Sequence, residues 1–263
     1  MRGRIRPGAM VALTLAVVAA AIPCTAGEVD VDVEADLASS YIWRGIEFDD
    51  EASLQPSLTL GWNVSDATTL ALNGWWNIAL DDHGSDDWKD LLFEEDLTVS
   101  VDHLVSDAVT LSAGYVYYSN PRSDVEAESE SWQTDELYAG LGWSVGAVSL
   151  SATAYRDVDR VDGWYGDLSV GWSVSLGGEV SLEGGLHAGL ASDMDPDPED
   201  PAAAWWYLDD GLVDGSAAVG VTWSRGVLTV GLSGTHSRRF DDADREGLEE
   251  SSTWGALHLG LSF

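Results

Sequence analysis

The residues best equipped for chemistry are carboxylates that recur at every second position of otherwise apolar runs. Asp30, Asp32, Glu34 and Asp36 open the series, and Glu94, Asp96, Asp102, Glu136, Asp167, Glu183 and Asp214 continue it. Rings of carboxylates attract cations. Asp36, Asp96, Glu136, Asp167 and Glu183 are read as the mid-depth members of such a lining. Arg44 is the basic exception and is expected to pair with one of the acids. Trp75 and Tyr138 share the carboxylates' parity; they fill the enclosed space or stack on a flat or sugar-like solute, and filling is the preferred reading.

Nucleophilic chemistry has one weak candidate. His236 adjoins Ser237, with Asp241 and Asp242 close by. Neighbours on a strand point to opposite faces, so this pair should not meet, and no catalytic residue is expected. Of the other histidines, His83, His103, His187 and His258, the residues His103 and His258 are read as outward-facing packing residues. The acidic run Asp193–Asp200 offers oxygen ligands but lacks the glycine and spacing of a calcium loop, so it reads as solvated. Neither a cofactor nor a resident metal is expected.

Strands must position these carboxylates, because a two-residue rhythm turns successive side chains to opposite faces. Twelve strands are read, at 29–43, 52–62, 68–80, 93–103, 109–119, 134–143, 148–157, 164–172, 180–190, 212–223, 227–236 and 253–263. Every second connection is short (63–67, 104–108, 144–147, 173–179, 224–226), and the others are mostly longer and more acidic. That segregation predicts an all-β, transmembrane, antiparallel up-and-down β-barrel with short periplasmic turns and long extracellular loops. A count of ten or fourteen is the alternative, since 202–208 could extend a strand or form a plug. A twelve-strand barrel has a backbone radius of roughly 12 Å at ordinary spacing and tilt.

The remaining signals agree with export to an outer membrane. Arg2, Arg4 and Arg6 precede the apolar stretch Ala9–Ile22, and Cys24-Thr25-Ala26 offers a cleavage site. Residues 1–26 therefore read as a signal peptide and 27–263 as the barrel, ahead of the rival membrane anchor or lipoprotein signal. The only cysteine lies in that leader. Near-repeats Gly61-Trp62-Asn63-Val64, Gly142-Trp143-Ser144-Val145 and Gly171-Trp172-Ser173-Val174, with a looser copy at Trp223, place Trp62, Trp143, Trp172 and Trp223 in a periplasmic aromatic girdle. Trp43, Phe93, Tyr117 and Trp164 are assigned to the opposite interface. Pro56 removes a ladder donor and is expected near the extracellular rim, where pairing is interrupted. Terminal Phe263 resembles the signal read by the barrel-insertion machinery.

Twelve basic residues face forty-six acidic ones, for a formal charge of −34. Nucleic acid is excluded as a partner, because phosphate contacts need a basic face. The acidity with a single lysine, Lys89, resembles proteins of salt-loving organisms. Partners are expected to be the outer-membrane bilayer and small solutes or cations.

Ser39-Ser40-Tyr41-Ile42-Trp43-Arg44-Gly45-Ile46, followed by Leu54-Gln55-Pro56-Ser57-Leu58, resembles the N-terminal signature of TorF-type porins. Ser39, Tyr41, Arg44, Gly45, Gln55 and Pro56 carry the match; the acidic 47–51 segment departs from it. The resemblance implies an outer-membrane channel of undefined substrate. The sequence thus predicts a passive porin-like channel for small solutes or ions, preferring cations. A lipid-modifying enzyme and a structural or adhesive barrel with a plugged lumen are the alternatives.

Overall fold

The computed structural model describes residues 29–80, 92–120, 132–194, 209–240 and 249–263. The leader, His83, Asp241, Asp242, the segment 202–208 and most of the 193–200 run lie outside the described residues.

Twelve strands close into an antiparallel barrel. They are β1 (Val29–Ala38), β4 (Ser53–Ser65), β5 (Thr68–Ala79), β6 (Leu92–Ser106), β7 (Val109–Asn120) and β8 (Trp132–Val145), then β9 (Val148–Asp157), β10 (Trp164–Gly177), β11 (Val180–Ser192), β12 (Gly211–Arg225), β13 (Leu228–Arg239) and β14 (Ser251–Ser262). β1 pairs with β14 on one side and β4 on the other, which closes the ring. Closure leaves no unpaired edge, the condition for a sheet to stand in lipid. The short connections are tighter than the sequence reading: strands run to within two residues of each other at 66–67, 107–108, 146–147, 178–179 and 226–227.

The outer face is apolar. Val33, Leu37, Val99, Leu137, Leu141, Leu168, Leu186, Val219, Leu232, Leu257 and Leu259 are all exposed there. An exposed apolar surface of this extent is stable in hydrocarbon and not in water. Pro56 pairs with Ala35 of β1, while the ladder from β4 to β5 skips Gln55 and Pro56 between Leu54↔Ile78 and Ser57↔Trp75. The interruption stands toward the long-loop end, as expected of a residue without an N–H.

The segment 29–43 is not one strand. The strand breaks at Ser39-Ser40, and β2 (Tyr41–Trp43) and β3 (Ile46–Asp49) form a separate hairpin. Its turn, Trp43-Arg44-Gly45-Ile46, has positive φ at both central residues, 49° at Arg44 and 75° at Gly45. That geometry is the type I′ turn favoured in two-residue hairpins, and glycine is the residue that enters it freely. The hairpin leaves the seam between β1 and β4 and reaches residues of β8, β9 and β10. In the ring order β9 and β10 stand opposite that seam, so the hairpin crosses the bore. Its root is fastened to β14, where Ser39 N–H donates to Gly255 O at 3.0 Å and Ser39 Oγ accepts from Gly255 N–H at 3.1 Å.

A Cβ at Gly45 would lie 2.6 Å from Asp214 Cβ and 3.2 Å from Arg239 Cγ. Close approach and positive φ therefore both require glycine. Gly45→Ala should destabilise the barrel by about 2 kcal/mol, a typical cost for a strained non-glycine position. Urea unfolding in detergent micelles reads this as a lowered midpoint; an unchanged midpoint would mean that the hairpin tip is not packed as described.

Candidate functional site: the barrel lumen

The tip of the hairpin is locked by one ion pair. Arg44 Nη1 and Nη2 donate to Glu136 Oε1 and Oε2 at 2.8 and 2.7 Å, a bidentate fork in which both side chains are almost fully buried. Tyr118 OH donates to Glu136 Oε2 at 3.0 Å. The guanidinium also lies 4.1 Å from the centres of the Trp43 and Tyr165 rings and 5.3 Å from that of Tyr155. Burial pulls the Arg44 pKa down, the Glu136 carboxylate pushes it up, and the net direction is up. Arg44 thus pairs with an acid, as expected, but from a turn inside the bore and not from the top of a strand.

Two corrections concern aromatic residues. Trp43, whose parity predicts the lipid interface, lies in the bore, its ring 5.9 Å from Tyr118. The same expectation fails for Phe93. The register steps from Asn77↔Glu94 to Ile78↔Leu92, so Phe93 is an extra residue in a bulge. The bulge turns its ring inward, 5.9 Å from Tyr41 and 6.4 Å from Phe48. Trp75 joins the same cluster, 5.7 Å from Tyr41, and Tyr138 lies 5.5 Å from Tyr155 with the two rings tilted. Ile46 packs with Val161, Tyr165, Met194 and Val213 on the far side of the hairpin.

The predicted carboxylates do face inward, but not as one ring at mid-depth. Asp36, Asp96, Glu136 and Asp167 lie toward the long-loop ends of β1, β6, β8 and β10, whereas Glu183 lies toward the short-turn end of β11. Asp36 meets His258 Nδ1 at 2.9 Å. His258 is therefore a lumen residue, correcting the outward assignment: Leu257 and Leu259 on either side of it are the exposed pair. His187, which no motif singled out, bridges two acids, with Nε2 at 2.9 Å from Asp167 and Nδ1 at 3.3 Å from Asp214. Strand parity alone would have placed it beside Asp167, because Ser169 opposes His187 in the ladder. His236 bonds Thr253 on the outer face at 2.8 Å, whereas Ser237 is buried on the other face.

Below the hairpin a cavity of about 320 Å³ is lined by Asp36, Ser40, Gln55, Trp75, Ser233 and Trp254. Among the described residues, Arg239 at the long-loop end is the one arginine or lysine that strand alternation puts on the lumen face. Asp32, Glu34 and Glu183 therefore line the lower lumen without a basic neighbour on that wall. Trp62, Trp143, Trp172 and Trp223 stand on the outer face near the short-turn ends, Trp143 and Trp172 exposed there. Tyr117 and Trp164 are outward at the other end, Trp164 with Arg156 5.3 Å from its ring centre.

Glu136→Gln or Arg44→Met alone leaves one buried charge without its partner and should cost about 4 kcal/mol. The double variant should recover most of that loss. A double-mutant cycle on urea midpoints checks it; additive costs would show that the two side chains do not act as a pair.

No protein-family profile matches this chain, and no curated protein matches it in sequence. Solved structures do match it over most of its length. An outer-membrane channel from Pseudomonas putida F1 superposes with a TM-score of 0.53 at 14% identity, covering 92% of this chain and 97% of that one. LpxR from Salmonella typhimurium superposes with a TM-score of 0.52 at 7% identity, covering 88% and 99%. At such identities the likeness establishes architecture: the fold is that of a bacterial outer-membrane β-barrel.

Proposed function

We propose that this chain is an outer-membrane channel for the passive passage of small solutes or ions, that it prefers cations, and that it is not an enzyme. The observation that carries the reading is the lumen wall: Asp32, Glu34, Asp36, Asp167 and Glu183 on one continuous inner face, with strand arginine confined to Arg239. Carboxylates in a confined, partly desolvated passage raise the local concentration of cations and repel anions. The hairpin spans the bore above the lower members of this wall, Asp32, Glu34 and Glu183. The likeness to the Pseudomonas putida channel supports a conducting barrel. His236 and Ser237, which adjoin in the sequence, point to opposite faces of β13, which favours the channel over a lipid-modifying enzyme.

Three further assignments belong to this reading. The residues that resemble the TorF-type signature are those of the cross-bore hairpin and its surroundings: Ser39 anchors the root, Arg44 and Gly45 form the tip, and Gln55 lines the cavity. The outward tryptophans near the short turns hold the barrel at the periplasmic interface. Phe263, exposed and tied to Val31 through N–H···O bonds at 2.9 and 3.1 Å, is offered to the insertion machinery.

Planar-bilayer recording across a KCl gradient tests the function. The reversal potential should move toward that of K⁺, and Asp32→Asn with Glu34→Gln should move it back toward zero. A potential on the Cl⁻ side, or the absence of current, overturns the reading.

A further inference from the structure

Beside the root of the hairpin, the wall of β5 and β6 carries Glu94 and Asp96, and no arginine or lysine among the described residues forms an ion pair with either. Glu94 is 2% exposed, and Tyr41 OH donates to its Oε2 at 2.6 Å. Asp96, two residues on along the same face, has a buried Oδ1 with no hydrogen-bond partner. Asn77 is 0% exposed, and neither its Oδ1 nor its Nδ2 has a partner. Register brings the three together: Asn77 opposes Glu94, and Trp75 opposes Asp96. Side chains directly opposed in an antiparallel ladder have Cβ atoms about 5 Å apart. The Arg44 guanidinium gives both of its terminal nitrogens to Glu136.

A buried carboxylate without a cation and a buried carboxamide without a hydrogen bond are each costly. Their coincidence has a simple chemical resolution. We propose that Asn77, Glu94 and Asp96 form a binding site for a hard cation, taken up from the lumen beside the hairpin. The site rests on the channel reading and deepens it, placing a cation at the level where the bore is crossed. Two carboxylates and a carbonyl oxygen suit an oxygen-preferring ion that keeps part of its water. Among the described residues no three acidic, histidine or cysteine side chains form a group that could hold a metal ion; the proposed ligands are two carboxylates and one carboxamide. Tyr41 couples the site to the hairpin. Its phenol donates to Glu94 Oε2 from the first residue of β2.

Terbium(III) luminescence on the folded full-length barrel in detergent tests the site. Trp75, across the ladder from Asp96, is positioned to sensitise a bound ion. Wild type should show a tryptophan-sensitised component that CaCl₂ displaces. Asp96→Asn should weaken it by about tenfold or more, the scale of losing a metal contact. Asn77→Asp, which adds a charged ligand, should tighten it, a gain that misfolding would not produce. Identical titrations for all three proteins would mean that terbium is held only by surface acids, and the site would be wrong. Bilayer current measured on the same preparation separates the two ideas. Conduction with Asp96-independent titration sinks the site alone, and Asp96-dependent binding without conduction sinks the channel alone.

Discussion

The bidentate pair between Arg44 and Glu136 is the interaction on which the interior of this barrel depends. A three-residue strand, a two-residue turn and a four-residue strand cannot hold a shape by their own ladder. The hairpin persists across the bore because its tip is fastened to the opposite wall. Fork geometry fixes direction as well as energy, since the planar guanidinium accepts only one orientation toward the carboxylate. The rings of Trp43, Tyr155 and Tyr165 exclude water from the pair and contribute their own attraction for the cation. Such a pair is expensive to bury and more expensive to break. That asymmetry makes it a good lock even where its net contribution to stability is small.

The position of the lock determines what the lumen can be. With the hairpin across the long-loop end, the bore is divided into an aromatic and apolar upper section and a polar lower section. The upper section packs like a small protein core, with Ile46 and Val213 each 1% exposed. The lower section is polar and acidic, its groups tied in cross-strand pairs such as Asp102 with Ser112 at 2.5 Å and Asn73 with Thr59 at 2.8 Å.

Bulges account for the departures from simple parity. The extra residue at Phe93 turns that ring into the bore, and the register step from Gly189↔Asp214 to Leu190↔Leu212 does the same for Val213. Both bulges lie toward the long-loop end, where strands end and side chains are re-aimed. Each supplies an apolar group that the hairpin packs against. His258 is a different case: strict parity between Leu257 and Leu259 places it inward, and its bond to Asp36 follows from the opposed register of β1 and β14.

The two-residue rhythm by itself determined that strands, not helices, carry this chain, that one face is apolar, and that carboxylates line the other. Twelve strands, the segregation of turns from loops, and the interruption at Pro56 were legible for the same reason: a strand's faces are set locally by backbone geometry. What tertiary structure alone decided is where Tyr41, Trp43 and Arg44 go. Their alternation continues that of β1, so no local rule separates lipid-facing Trp43 from bore-facing Trp43. The choice is made by a carboxylate ninety-two residues away, and by a turn at Arg44-Gly45 that has room only because Gly45 has no Cβ to meet Asp214. Contacts of that sequence separation exist only once the ring has closed, which is why the wall could be read along the chain and its contents could not.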